Sequence, residues 1–367
     1  MIVQILQENL LKSLVRAGRI VPSKPQLPVL QNVLLSVESG RFKITATNLE
    51  YSETIYVNAK VQEEGGICVS SRLFTEFVSS LPQATVSLST KEGSVVVSCG
   101  AFNATIPGTP REEFPTVATS RGNNITLDKK AFADSLGRVA FSAATDEGRP
   151  LLTGIKIAHK DGETTLAATD GYRLSVKTET LVSGGDLDLL VPVRAINEVL
   201  KARAEEKEEK EIHMSKPLDG QLSFSIGDTE IRTRLIDGDY PNFRKIIPSK
   251  YNTRVFVEKD SLARAVKSAA IFARDSANIV RLQIGGQSIT VSANAPQIGE
   301  DEVEVEAKIE GEGGEMAFNS RFLLDFLSNF PEEEVVFEMT GSLNPGVFKS
   351  AKDDTYLHII MPVRVQG

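Results

Sequence analysis

The sequence predicts an α+β protein of three similar domains, each with helices on one side of antiparallel sheets. Three observations lead there. One order of elements recurs three times along 367 residues, with matching landmarks 122 and 124 residues apart. Each copy sets two amphipathic helical stretches among short β-rich runs. Two similar linkers, EEFPTV and GDYPNF, separate the copies and place the domains at 1–117, 118–247 and 248–367.

The first helix of each copy is expected at 7–19, 128–142 and 259–274. Its apolar residues follow i, i+3, i+4, i+7 spacing: Leu10, Leu11, Leu14 and Val15, then Phe132, Leu136, Val139 and Ala140, then Leu262, Ala265, Val266 and Ala269. Two β-rich runs joined by a Gly-containing turn come next in each copy and read as hairpins. The second run ends at Thr47-Asn48-Leu49, Thr169-Asp170-Gly171 and Ala293-Asn294-Ala295. A shorter helix is expected at 71–80, 193–203 and 320–329, with an arginine at a matching place, Arg72, Arg194 and Arg321. Ser, Pro and Asn stand at the starts, and Pro82 and Pro331 stop the first and third. Strand-like runs close every copy.

Composition narrows the function. Hydrophobic residues make up 41% and charged residues 25%, enough for an ordinary core in each domain. No Trp is present and only 6% of residues are aromatic, which argues against a stacking platform for single strands. Net charge is -8, which by itself argues against nucleic acid. The six helical stretches, however, hold fifteen Lys and Arg against seven Asp and Glu. If they line one surface, it is basic and attracts phosphates without sequence preference. Lys12, Arg16, Arg138, Lys201, Arg203, Arg264 and Lys267 are its expected contributors, while the run AEEKEEKE reads as a solvated helix end or loop.

Nothing nominates a catalytic residue. His159, His213 and His358 lie apart in strand-like runs, with no metal ligand at useful spacing. Phosphate loop, nucleophile elbow and dinucleotide fingerprint are all missing. The segment EDEVEVEAKIEGEGGE alternates acid and apolar residues and reads as an acidic strand. No cofactor and no metal are expected, and Cys68 and Cys99 read as buried free thiols. Without a signal-peptide pattern or a membrane-length apolar run, a cytoplasmic location is expected.

The size of the repeat suggests an assembly. A domain of this length has a diameter of roughly 35 Å, so three in a triangle enclose a hole of only about 5 Å. Six in a hexagon leave an opening about one domain wide, ample for a DNA duplex. A head-to-tail dimer supplies six.

ATDGYRLSV, RPLLTGIKI, GDYPNFRKIIP and HIIMPVRV, in this order, resemble the bacterial DNA polymerase III beta sliding clamps over the whole chain. The resemblance implies the DNA clamp fold, with six domains per dimeric ring around double-stranded DNA. It implies a clamp loader, the replicative polymerase and repair polymerases as partners, with no membrane. Partners of that family dock a short peptide in a pocket. Its deep part is implied at Leu152, Thr169, Gly171, Tyr172, Arg173, Leu174, Pro241, Lys245, Ile246, Ile359 and Met361. Its outer part is implied at Asn319, Phe322, Leu343, Pro345, Pro362, Val363 and Arg364. Leu, Ile, Met and Pro suit an apolar cavity with a few orienting polar groups, and Met361 suits several partners. Tyr172, Lys245 and the terminal Val365-Gln366-Gly367 depart from the family pattern, which bears on peptide preference.

For DNA the resemblance adds Lys24 and the loop at 144–151 with Arg149 to Arg72, Arg138, Lys201, Arg264 and Lys267. For the dimer it implies Ile271 and Phe272 meeting a strand around Ala101, Phe102 and Ile106, beside Glu300, Glu302 and Glu304. Two other functions fit the residues alone. One is a three-domain enzyme using Asp170, Tyr172 and Arg173 at a small-molecule site between the second and third domains; the other is a monomeric protein-interaction module.

Overall fold

The computed structural model describes residues 1–117, 124–181, 185–215, 220–274, 277–296 and 299–364, so Val365, Gln366 and Gly367 lie outside the described residues. Six α-helices are found among the described residues: α1 (Gln7–Gly18), α2 (Ser71–Ser79), α3 (Lys129–Ala140), α4 (Val193–Glu205), α5 (Lys259–Ala273) and α6 (Ser320–Asn329). Apart from short 3-10 helices, the remaining regular structure of the described residues is antiparallel strand, so the chain is α+β as its sequence predicts. No helix among the described residues is long and apolar enough to cross a membrane.

The repeat contains an element that helical periodicity does not show. Each copy opens on a strand, Ile2–Leu6, Asn124–Asp128 or Thr253–Glu258, which runs straight into α1, α3 or α5. Five or six residues alternating in burial are too few to stand out beside a helix of more than ten. One helix face also differs. In α1 the buried stripe is Leu10, Leu14 and Ala17, whereas Val15 is 47% exposed. Residues four and seven apart share a face, and Val15 lies about 100° round from Leu14. Local chemistry fixes two starts: the Ser70 side chain accepts the N–H of Leu73, and Asn319 Oδ1 accepts that of Arg321 at 2.9 Å.

The chain forms two compact units, 1–129 with 197–235 and 130–196 with 236–367. The middle third therefore gives strands to both. In the first unit, Tyr51–Val57 pairs with Thr229–Arg234 at the centre of a nine-stranded sheet, with Ser52 opposite Arg232. A separate five-stranded sheet ends on Phe102–Pro107. In the second unit, Arg173–Glu179 pairs with Tyr356–Ile360, Leu174 standing opposite Ile359. The strand Gly299–Gly311 pairs with Ser288–Ala295 in its first part and with Thr253–Glu258 in its last.

Aliphatic residues dominate the first core, Val3, Ile5, Leu10 and Leu14 among them, with Phe74 beside them. The second core holds a cluster of phenylalanines, Phe318, Phe326, Phe330, Phe337 and Phe348. Each buried ring of this kind contributes about 1.5–3 kcal/mol. Cys68 and Cys99 are buried free thiols, and burial, with Glu113 and Glu112 adding, pushes Cys68 up to about 12.

A polar chain crosses the second unit. Ser142 and Ser175 hydroxyls lie 2.7 Å apart, and Ser175 Oγ is 2.7 Å from His358 Nδ1. The His358 ring stacks on Phe326 at 5.0 Å, and its Nε2 is buried without a hydrogen-bond partner. Burial, with the Arg173 charge adding, holds His358 well below the usual imidazole value. In the folded state this ring stays neutral, while in the unfolded chain it takes a proton near pH 6.5. Stability is then level above about pH 7 and falls below about pH 6.5, by up to roughly 1.4 kcal/mol per pH unit. Thermal midpoints at pH 7.5 and 5.5 should draw together in His358→Asn; an unchanged gap would remove His358 as the cause.

Candidate peptide site and charged surfaces

The turn at 169–173 is built by its own side chains. Thr169 Oγ1 accepts the Gly171 N–H at 3.0 Å and donates to the Arg173 carbonyl at 2.6 Å. Asp170 Oδ1 accepts the N–H groups of Tyr172 and Arg173 at 2.9 and 3.0 Å. Gly171 takes φ +90°, which favours glycine, and a side chain there would meet Arg149 Nη1 at 3.1 Å. These bonds present Tyr172 to solvent, 58% exposed.

Three segments meet the turn. The Tyr172 carbonyl accepts the Met361 N–H at 2.8 Å, and the Ala317 carbonyl accepts that of Val363 at 2.8 Å, so the C-terminal segment is anchored at two points. From α6, the Phe322 ring lies 6.4 Å from that of Tyr172, nearly parallel to it. Arg173 ties the frame together: Nε holds Asp170 at 3.1 Å, Nη1 holds Asp325 at 2.6 Å, and the guanidinium lies over Phe322 at 4.7 Å. Phe243, from the short 3-10 helix Phe243–Ile246, and Ile247 pack on the cluster of Leu174 and Ile359 below.

Most residues expected for the pocket are accessible to solvent. Gly171, Pro241, Lys245, Ile246, Leu343, Met361 and Arg364 are exposed, while Leu152, Asn319, Phe322, Pro345, Pro362 and Val363 are half-buried. Leu174 and Ile359 differ from expectation. Both are fully buried, because they face each other across adjoining strands, and they form the underlying core instead of a surface for a ligand. Thr169 is buried too and acts through the turn. Sequence reasoning missed Asp325 and Ala317. Asp325 follows Phe322 by three residues on α6, the spacing that puts two side chains on one face.

The cations divide into two groups. Lys12, Lys24, Arg72, Arg149, Lys201, Arg264 and Lys267 are exposed. Arg149 also donates to the Asp170 carbonyl at 2.6 Å and lies over the Tyr172 ring, which places it beside the peptide frame. Arg138 and Arg16 differ from expectation. Arg138 is held by Glu332 at 2.9 Å and Asp353 at 3.2 Å, and buried Arg16 by Glu53 at 3.0 Å and Glu205 at 2.9 Å. Pairs that are mostly shielded keep these arginines for the fold. Arg203 is half-buried.

Of the residues expected at a dimer contact, Ala101 and Phe102 in the first unit are exposed, as are Ile271, Glu300, Glu302 and Glu304 in the second, whereas Phe272 is half-buried. Ile106 is a further correction: only 6% exposed, its side chain belongs to the first core, since alternate residues of its edge strand face inward.

Similarity to known proteins covers all three thirds. Residues 1–118, 126–242 and 244–364 match the N-terminal, central and C-terminal domains of the DNA polymerase III beta subunit. The beta sliding clamp of Streptomyces coelicolor is 29% identical over 376 residues, covering 100% of both chains. Among solved structures, the DNA polymerase III subunit beta of Pseudomonas aeruginosa has a TM-score of 0.92 at 27% identity, covering 100% of both chains. A sliding clamp of Bartonella birtlesii bound to griselimycin has a TM-score of 0.93 at 27% identity, again over 100% of both. With its N-terminal, central and C-terminal domains matched in that order, the chain belongs to the DNA polymerase III beta subunit family, the bacterial beta sliding clamps.

Proposed function

We propose that this DNA sliding clamp works, without catalysis of its own, as a homodimeric ring closed around duplex DNA in the cytoplasm. Its three consecutive domains run 1–117, 118–247 and 248–367. It holds the replicative polymerase, the clamp loader and repair polymerases by extended peptides laid across Tyr172, Phe322, Leu343 and Met361. The observation that carries the docking reading is the frame itself. Exposed Tyr172 and Met361 and half-buried Phe322 stand on a turn held by its own side chains and by Arg149, Asp325 and the Met361 N–H, so a ligand meets a preformed surface. The exposed cations Lys24, Arg72, Arg149, Lys201, Arg264 and Lys267 give DNA a sequence-independent, salt-sensitive attraction.

Retention on DNA tests this function. After loading, the protein should stay on nicked circles for many times longer than on linear fragments of equal length, because only open ends let a ring leave. Equal lifetimes on the two substrates would rule out encirclement.

A further inference from the structure

The bonds that shape the turn at 169–173 recur atom for atom in the first unit. Thr47 Oγ1 donates to the Tyr51 carbonyl at 3.1 Å and accepts the Leu49 N–H at 3.1 Å. Asn48 Oδ1 accepts the N–H groups of Glu50 and Tyr51 at 3.0 and 2.9 Å. The Glu50 carbonyl accepts the Arg234 N–H at 3.2 Å, as the Tyr172 carbonyl accepts that of Met361. Thr233 stands opposite Tyr51 in the adjoining strand, as Ile360 stands opposite Arg173. Even the linker repeats, Phe114-Pro115-Thr116-Val117 answering Tyr240-Pro241-Asn242-Phe243.

This second frame borders a cavity of about 310 Å³ whose lining includes apolar Leu49, Tyr51, Pro115 and Val117, the carboxylate of Glu50, and the cations Arg232 and Arg234. That volume lies at the lower end of the range for ligand pockets. Two features set its chemistry. Leu49 holds φ +74°, where its counterpart is Gly171 at +90°, yet its side chain is 49% exposed. A leucine that strains the backbone and shows apolar surface to water is unneeded by the fold, and such outliers gather at functional sites. Arg234 is exposed at the rim and makes no ion pair among the described residues.

We propose that this cavity is a second peptide seat, selective for an extended segment with an apolar side chain to cover Leu49 and an Asp or Glu carboxylate to meet Arg234. The inference rests on reading the second unit's frame as a peptide site, since the likeness of the two turns carries that reading across. The two seats differ in chemistry. Met361 in one is answered by Arg234 in the other and Tyr172 by Glu50, so the second is charged where the first is mainly apolar, with Arg234 offered to a carboxylate and Glu50 setting where along the peptide that carboxylate can lie.

The test uses calorimetric titration of the full chain with the acidic peptide Ac-Glu-Leu-Asp-Leu-Phe-NH2 and a copy in which Lys replaces Glu and Asp. The wild type should bind two acidic peptides per chain. Leu343→Asp, in the first-described seat, should leave one. Adding Leu49→Gly, which relieves the backbone and so spares the fold, should weaken the remaining site at least tenfold, as should Arg234→Glu. The Lys peptide should bind that site at least tenfold more weakly. A single site abolished by Leu343→Asp would overturn the second seat, and so would a residual site indifferent to Leu49→Gly and Arg234→Glu. Binding untouched by Leu343→Asp but lost in Leu49→Gly would instead overturn the peptide reading of the second unit and leave the cavity standing. No binding of either peptide overturns both.

Discussion

Arg173→Ala is expected to destabilise the second unit by about 3–5 kcal/mol, the cost of removing one partner from a mostly buried ion pair. The Arg173 and Asp170 side chains are only 10% and 13% exposed, so the carboxylate left behind has little access to water. Asp170 also accepts the two N–H groups that shape the turn, and a shift of its charge disturbs both. The same substitution removes the cation lying over Phe322 and frees Asp325. Asp325→Ala should be mild by comparison, under about 1 kcal/mol, because that carboxylate is half-exposed and well hydrated. Arg173→Lys keeps the charge but cannot reach both acids with a planar fork, so it should fall between the two. Urea denaturation of the three variants gives the ranking. An Arg173→Ala loss no larger than that of Asp325→Ala would show that solvent, and not Arg173, satisfies Asp170.

Much of this fold is legible in the sequence because the helices announce themselves. In α3 and α5 the residues expected inside, Phe132, Leu136, Leu262 and Val266, are all buried. Short strands announce themselves poorly, and Ile2–Leu6 escapes notice beside α1. Pairing between distant strands is invisible to local pattern. Nothing in Tyr51–Val57 or Thr229–Arg234 signals that they adjoin, so the sharing of the middle third between two units emerges only from the register.

The candidate site divides in the same way. The turn Thr169-Asp170-Gly171 stands out by residue type, whereas Leu343 and Met361 enter as candidates through the family resemblance alone, and the structure adds that both are exposed. Which cations are free does not follow from the sequence. Arg138 and Lys201 both sit on predicted helices, yet Arg138 meets Glu332 and Asp353, more than 190 residues further along, whereas Lys201 meets nearby Glu198. Long-range partners decide the matter, and local spacing carries no record of them. The second cavity illustrates the opposite case. Thr47-Asn48-Leu49 and Thr169-Asp170-Gly171 share only their threonine, yet both middle residues offer an acceptor oxygen at the same place. Asn and Asp build the same turn, so chemistry preserves a likeness that residue identity conceals.

Ile271→Asp is expected to split the proposed dimer, with a loss of about 2–4 kcal/mol at each contact, roughly 30- to 1000-fold per contact and the square of that in the dissociation constant of a dimer held by two. Two open sheet edges motivate this. Phe102–Pro107 ends the five-stranded sheet of the first unit, and in the second unit the first part of Gly299–Gly311 pairs, among the described residues, on one side only, with Ser288–Ala295. Unpaired edges invite another strand, so a soluble protein covers them or charges them. Glu300, Glu302 and Glu304 charge the second edge, while Phe102 and Ile271 remain 48% and 55% exposed. Two different surfaces that complement each other make a head-to-tail contact, and two copies close on themselves only if both contacts form at once. A buried carboxylate in each would therefore act twice per ring. Light scattering should fall from twice the chain mass of 39.9 kDa to that mass itself. Retention on nicked circles should vanish with it, while peptide affinity at Tyr172 and Phe322 should stay unchanged. Ile106→Ala makes the contrast: its side chain fills the core, so it should lower the melting temperature and leave the dimer formed in the folded fraction. A dimer that survives Ile271→Asp at micromolar concentration would move the contact away from this pair of edges.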